Sequence, residues 1–364
     1  MLLTITQILL GALAVALLFC MVFAVRLSVN QIKWFWMIYV ILIAILGFHI
    51  EPGSELDLYR IFEDIEKIRD GYATIFDSPM LITNMLYWFV AHLNSNNWIV
   101  PLVVIIWGLF ICGILTKYLT SHEYYIRPVM LYFLAVNGGC FIIYLLSGLR
   151  CSLAVAIWGF AYFRWYDNRK LLYYLSCVLC SLVHTIGIVL IGFTLFYSVL
   201  QKKKTMISYA ITFIIILACG YILNTTEGVQ FLSRMGTAYS DLFAEKLAAY
   251  ILRGYEFQQP REMTLRALGS VFILSCIIYL HYKGNRKHEV FAFYILVMFA
   301  GYDMSILFER LPYMLGICSL PILNETYAIA KREGRMFVWT MGFIVFGAQV
   351  IWGVYEMISW LTFV

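Results

Sequence analysis

Charge is what this sequence has least of. Only 13% of its 364 residues are Asp, Glu, Lys or Arg, and 63% are hydrophobic. A soluble domain carries about 25% charged residues, so there is too little polar surface to cover a water-soluble globule of this size. A cytosolic enzyme, a secreted disulfide scaffold and a disordered chain are excluded. Proline is sparse, at seven residues, and no low-complexity tract marks a linker. The simplest partition is one transmembrane domain over residues 1–364. No internal repeat is visible, which weighs against the inverted-repeat folds of many secondary transporters. Several signatures are missing as well. There is no G-x-x-x-x-G-K-[ST] loop, no H-E-x-x-H, no G-x-S-x-G elbow and no D-x-D, which argues against a P-loop ATPase, a zincin, an α/β-hydrolase and a metal-dependent nucleotide-sugar transferase.

The nine cysteines (Cys20, Cys112, Cys140, Cys151, Cys177, Cys180, Cys219, Cys276 and Cys318) are odd in number and lie in or beside apolar segments. Cys177 and Cys180 form a C-x-x-C with no second pair, which reads as packing rather than redox or zinc chemistry. Neither a metal nor a cofactor is expected. Net charge is +5, and no basic run is interleaved with aromatics, so nucleic acid is not an expected partner. A small excess of Lys and Arg suits the cytoplasmic ends of membrane helices.

What the chain does have is long hydrophobic runs. A membrane span needs about 20 apolar residues. Candidates cover roughly 3–25, 34–50, 98–116, 128–147, 151–167, 205–223, 264–282, 290–308, 311–330 and 336–360. The first lacks a basic leader region and reads as a retained helix. Basic clusters such as Lys202–Lys204 and Lys331, Arg332 and Arg335 mark the cytoplasmic side. The run 171–200 has such clusters at both ends, so it must cross twice, as two short or tilted helices meeting near His184, Thr185 and Gly187. The expected fold is an all-α polytopic membrane protein of about 12 transmembrane helices, including that broken pair, with both termini outside. Two outer loops, 51–80 and 224–263, are expected to be partly helical and to shape an active-site cavity. Residues 79–93 read as a short re-entrant or interfacial helix beneath the acidic first loop.

This topology gathers four polar groups on the outer face, where ionisable residues at membrane depth are functional candidates. Arg150 follows Gly148 in a short turn and opens a new helix. A guanidinium at a helix N-terminus suits an anion such as phosphate, the alternative being a structural pair. His184 stands at the break in the 171–200 run, as a ligand contact, a proton acceptor or a satisfied core residue. Glu309 and Arg310 are placed in a tight turn between two helices, either as a local pair or with Arg310 as a second cation facing the same cavity as Arg150. Asp57, with Tyr59 and Arg60, enters a helix from the first outer loop, serving the helix dipole or acting as a base on a sugar hydroxyl. Glu63, Asp64 and Glu66 read as a solvated face. A lipid-linked substrate with an anionic head at the outer leaflet suits this set.

The order of these elements resembles the EpsG/Wzy-type bacterial polysaccharide polymerases. The resemblance rests on D-x-Y at Asp57 and Tyr59, G-L-R-x-S-L-A from Gly148 to Ala154, H-T at His184 and Thr185, and E-R-x-x-Y at Glu309, Arg310 and Tyr313. It covers about residues 50–330. It implies a metal-independent glycosyltransferase of the GT-C-like type in the bacterial plasma membrane, its active site facing the periplasm or cell exterior. Such an enzyme moves a growing glycan from undecaprenyl diphosphate to the non-reducing end of a lipid-linked repeat unit. The resemblance further implies a flippase and a chain-length regulator as partners, besides the lipid-linked oligosaccharide and membrane lipid. On this footing Arg150 and Arg310 would hold the diphosphate. His184, Asp57 or Glu309 would take the acceptor proton, and Tyr59, Arg60 and Tyr313 would contact the glycan. Competing readings are an O-antigen ligase-type transferase, a membrane O-acyltransferase, and a flippase or transporter for the same lipid-linked oligosaccharide.

Overall fold

The computed structural model describes residues 2–22, 27–54, 56–119, 126–188, 190–192, 260–300, 305–335 and 337–363, with isolated positions between 194 and 218. Helices dominate, and they fall into two units, Met1–Gly192 with Gly316–Val364, and Phe193–Leu315. Four stretches are long and apolar enough to cross a membrane: Val29–Phe48, Asn96–Tyr118, Thr264–Tyr282 and Trp339–Trp360. Shorter apolar helices, among them Leu81–Ala91, Lys170–Val183 and Glu289–Phe299, accompany them. The chain is an all-α, multi-pass membrane protein.

The first unit begins with α1 (Leu2–Val22) and α2 (Val29–Phe48). Ser28 and Gln31 form a capping box at the start of α2, each side chain accepting from the other's backbone N–H. Helix α2 packs on α5 (Ile99–Tyr118). There Trp36 Nε1 donates to the Gly108 carbonyl at 3.0 Å. A Cβ on Gly108 would stand 2.5 Å from Val40, so the two backbones approach closely because that residue has no side chain.

Between these helices lie α3 (Asp57–Arg69) and α4 (Leu81–Ala91). The buried face of α3 is Leu58, Ile61 and Ile65, at the spacing of an amphipathic helix. Its C-terminus is tied to that of α4 through Arg69 Nε, which donates to the Ala91 carbonyl at 3.1 Å. The turn between them is closed by Asp77, whose carboxylate accepts from the Thr74 N–H and hydroxyl. Those bonds hold its carboxyl below the usual range. After α6 (Ile126–Leu146) come α7 (Leu149–Trp165) and α8 (Lys170–Val183). The last two pack together, with Trp158 Nε1 donating to the Tyr173 hydroxyl at 3.3 Å.

Helix α8 stops at His184, whose backbone is extended, and helical geometry resumes at Ile186. The break stands where parity and the polar pair located it. Gly187 then folds back against α8, where a Cβ would sit 2.5 Å from the Ser181 nitrogen.

In the second unit, α9 (Pro260–Tyr282) and α10 (Glu289–Ala300) form a hairpin. It turns at Gly284, whose φ of +82° is left-handed and favours glycine. Helix α11 (Ser305–Arg332) starts in this unit and ends in the first. It runs unbroken through Glu309 and Arg310, where the sequence reading expects a turn. Both are good helix formers, so an isolated charged pair need not end a helix.

Helix α12 (Phe337–Trp360) packs on α6 and leads into β2 (Leu361–Phe363), which pairs antiparallel with β1 (Ile50–Pro52). Glu51 faces Thr362, and the Thr362 hydroxyl donates to the Glu51 carbonyl at 2.9 Å. This clasp puts residues 361–363 beside the start of the first outer loop.

Candidate functional site

The site is built where three helix ends meet one helix side. Asp57 is the first residue of α3, and its neighbour Leu56 offers the helix no side-chain cap. The cap comes from another part of the chain. The Leu58 N–H donates to Ser147 Oγ at 3.2 Å, in the turn between α6 and α7. The Ser147 turn also leads into Arg150, the second residue of α7. Arg150 Nη2 donates to Asp57 Oδ1 at 2.6 Å, the side chains being 16% and 31% exposed. A bond this short between ionised partners is charge-assisted. A cation in the first turn of a helix works against the helix dipole. Arg150 therefore adds nothing to the stability of α7 through the dipole, and the Asp57 carboxylate offsets its charge.

Helix α4 forms the wall beside this pair. Tyr87 is 3% exposed and lies against the Arg150 guanidinium. Neither the Tyr87 hydroxyl nor Arg150 Nε has a hydrogen-bond partner among the described residues. A buried polar atom left in that state costs roughly 1–3 kcal/mol. One turn earlier on α4, Thr83 Oγ1 donates to the Val183 carbonyl at 2.7 Å, at the end of α8. Residues four apart share one helix face, about 5–6 Å apart at Cβ. The face of α4 that touches Arg150 thus also holds the residue preceding His184.

His184 is half-buried, with φ −157° and ψ 143°. Its Nδ1 stands 3.1 Å from the Ile186 backbone nitrogen. An amide N–H can only donate, so Nδ1 accepts, and the neutral ring carries its proton on Nε2. The break therefore fixes the tautomer as well as the position of this ring.

The other expected site residues are placed differently. Tyr59 and Arg60 are exposed on α3, away from its packed face. Tyr313 is buried in α11. Glu309 and Arg310 sit in the backbone of that helix, with side chains outside the described residues. The loop 224–263 lies outside them as well, except for the start of α9 at 260–263. Among the described residues no three His, Cys, Asp or Glu side chains cluster as a metal site. Ser147, Thr83 and Tyr87 escaped the sequence reading. The available signal was the polar spacing of Thr83 and Tyr87, four apart in an otherwise apolar helix.

The family model described as EpsG family matches residues 32–363. No curated protein and no solved structure matches the chain.

Proposed function

The chain belongs to the EpsG family, and from that premise we propose that it is a polysaccharide repeat-unit polymerase working at the outer face of the bacterial plasma membrane. The growing glycan is transferred from undecaprenyl diphosphate to the non-reducing end of a new lipid-linked unit. An acceptor hydroxyl attacks the anomeric carbon of the growing chain, the bond from that carbon to the diphosphate oxygen breaks, and undecaprenyl diphosphate departs carrying the electron pair. The hydroxyl proton passes to a base.

The observation that carries this reading is Arg150, a largely buried cation at a helix start, held by Asp57. Negative charge grows on the departing diphosphate, and a cation fixed in advance stabilises it without having to reorganise. Asp57 has the Arg150 bond on Oδ1, so its first task is to orient the guanidinium. His184 accepts at Nδ1 from the backbone, so its ring serves the leaving group as a donor from Nε2 rather than as the base. Glu309 remains the carboxylate proposed for the proton, and Arg310 a second cation, on the strength of the E-R-x-x-Y motif. Tyr59 and Arg60, exposed on α3, suit contact with glycan, and Tyr313 is retained from its motif. The flippase and chain-length regulator remain proposed partners.

The test uses purified protein and a synthetic polyprenyl-diphosphate-linked repeat unit, with no nucleotide sugar and no added metal. Wild type should yield a ladder of products on a gel. Folded Arg150→Ala should lower the rate by about a hundredfold or more, the usual loss for one preorganised charge-stabilising donor. His184→Ala and Arg310→Ala should also slow it. Transport of the intact lipid-linked unit across a liposome bilayer, with no ladder, would instead place the protein among flippases.

A further inference from the structure

The mechanism above leaves Tyr87 unused, although its position is unusual. The side chain is 3% exposed in α4, against the Arg150 guanidinium. Arginine offers only donors, so contact with it supplies no acceptor for the phenol proton. Arg150 Nε–H lacks one too. Asp57 occupies the Nη2 side of the same guanidinium. Two buried donors, adjacent and both without an acceptor, one of them on a cation, complement an oxyanion. A buried polar group in a native fold is normally paired, and the ligand that pairs both of these at once is a phosphoryl group presenting two oxygens.

We propose that Tyr87 is a substrate-contacting residue. Its hydroxyl and Arg150 Nε–H together form a phosphate subsite, with Asp57 holding the guanidinium from the other side. This rests on the polymerase reading above for its natural ligand, the diphosphate of the lipid-linked glycan. The subsite recognises the phosphoryl group, which a polyprenyl diphosphate and free inorganic pyrophosphate share.

The experiment measures binding of farnesyl diphosphate and of inorganic pyrophosphate to the full chain in detergent, by titration calorimetry. Ligand-free melting temperature is recorded alongside. The proteins are wild type, Tyr87→Phe and Arg150→Lys. Tyr87→Phe keeps the ring and removes an oxygen that has no partner, so the ligand-free melting temperature stays level or rises. Affinity for farnesyl diphosphate falls on the order of tenfold or more, as for a lost hydrogen bond to a charged group. Arg150→Lys, which keeps the charge and loses Nε–H, also weakens binding. Losses beyond tenfold for both probes assign recognition to the phosphoryl group alone. A loss confined to farnesyl diphosphate assigns it to the lipid-linked form.

The proposal is overturned if Tyr87→Phe binds both probes within twofold of wild type, or if wild type binds neither. A lowered ligand-free melting temperature with unchanged affinity makes Tyr87 a structural residue and also overturns it. The two readings fail separately. A product ladder with unchanged Tyr87→Phe binding removes the subsite and leaves the polymerase. Weakened binding without any ladder in wild type leaves the subsite and removes the polymerase.

Discussion

Asp57 and Arg150 are 93 residues apart in sequence, and each makes sense only beside the other. Replacing Asp57 with Asn keeps the shape and removes the charge, leaving a largely buried guanidinium without its counter-ion. Breaking a fully buried pair costs about 3–5 kcal/mol. With the carboxylate 31% exposed, the expected loss is smaller, about 1–3 kcal/mol once solvent screening is allowed for. Thermal unfolding in detergent measures it. Polymerisation should fall further than stability does, because an unheld Arg150 no longer meets the leaving group in a fixed geometry. Unchanged activity in a folded Asp57→Asn protein would remove the orienting role. At this scale the sequence was informative about which residues matter and silent about their partners. Arg150 and Asp57 stood out as charges bordering apolar runs. Tyr87 did not, since an aromatic in the run from Leu81 to Ala91 reads as packing until its hydroxyl is found without an acceptor.

The element that organises the site is α4, an eleven-residue helix too short to cross a membrane. It joins the end of α8 to the start of α7 through Thr83 and Tyr87. The break after α8 depends on Gly187, because a Cβ there would lie 2.5 Å from the Ser181 nitrogen, inside any real contact distance. Gly187→Ala must push the return segment away from α8 and turn His184 with it. The expected cost is about 1–3 kcal/mol in melting experiments, with a loss of activity comparable to His184→Ala. A variant that melts and polymerises like wild type would show that the break tolerates a side chain. The break itself was legible because basic residues at both ends of one apolar run leave a single topological solution. The continuity of α11 was not, because a charged pair and a nearby proline look like a turn when no neighbours are visible.

For the whole molecule, the informative feature is the clasp between β1 and β2, which joins positions 311 residues apart through Thr362 and Glu51. It requires residues 361–363 to lie on the same side of the membrane as the turn carrying Tyr72, which is 84% exposed. Single cysteines placed by Thr362→Cys and Tyr72→Cys, in a cysteine-free background, should both react with a membrane-impermeant maleimide added outside intact spheroplasts. Labelling of one from outside and the other only after lysis would contradict the strand pairing. Labelling of both only after lysis would keep the pairing and turn the proposed site to the cytoplasm.

By itself the sequence determined the solvent of this protein, since so few charges cannot cover a globule in water. Hydrophobic run length fixed α2, α5, α9 and α12 as potential spans, and charge at the ends of one run located the His184 break. These are local properties, written in consecutive residues. Tertiary structure alone decided that Ser147 caps α3, that Asp57 holds Arg150, and that Thr83 and Tyr87 line the same wall. Those contacts join residues far apart along the chain, and in an apolar helix nothing local distinguishes a polar side chain that meets a partner from one that waits for a ligand.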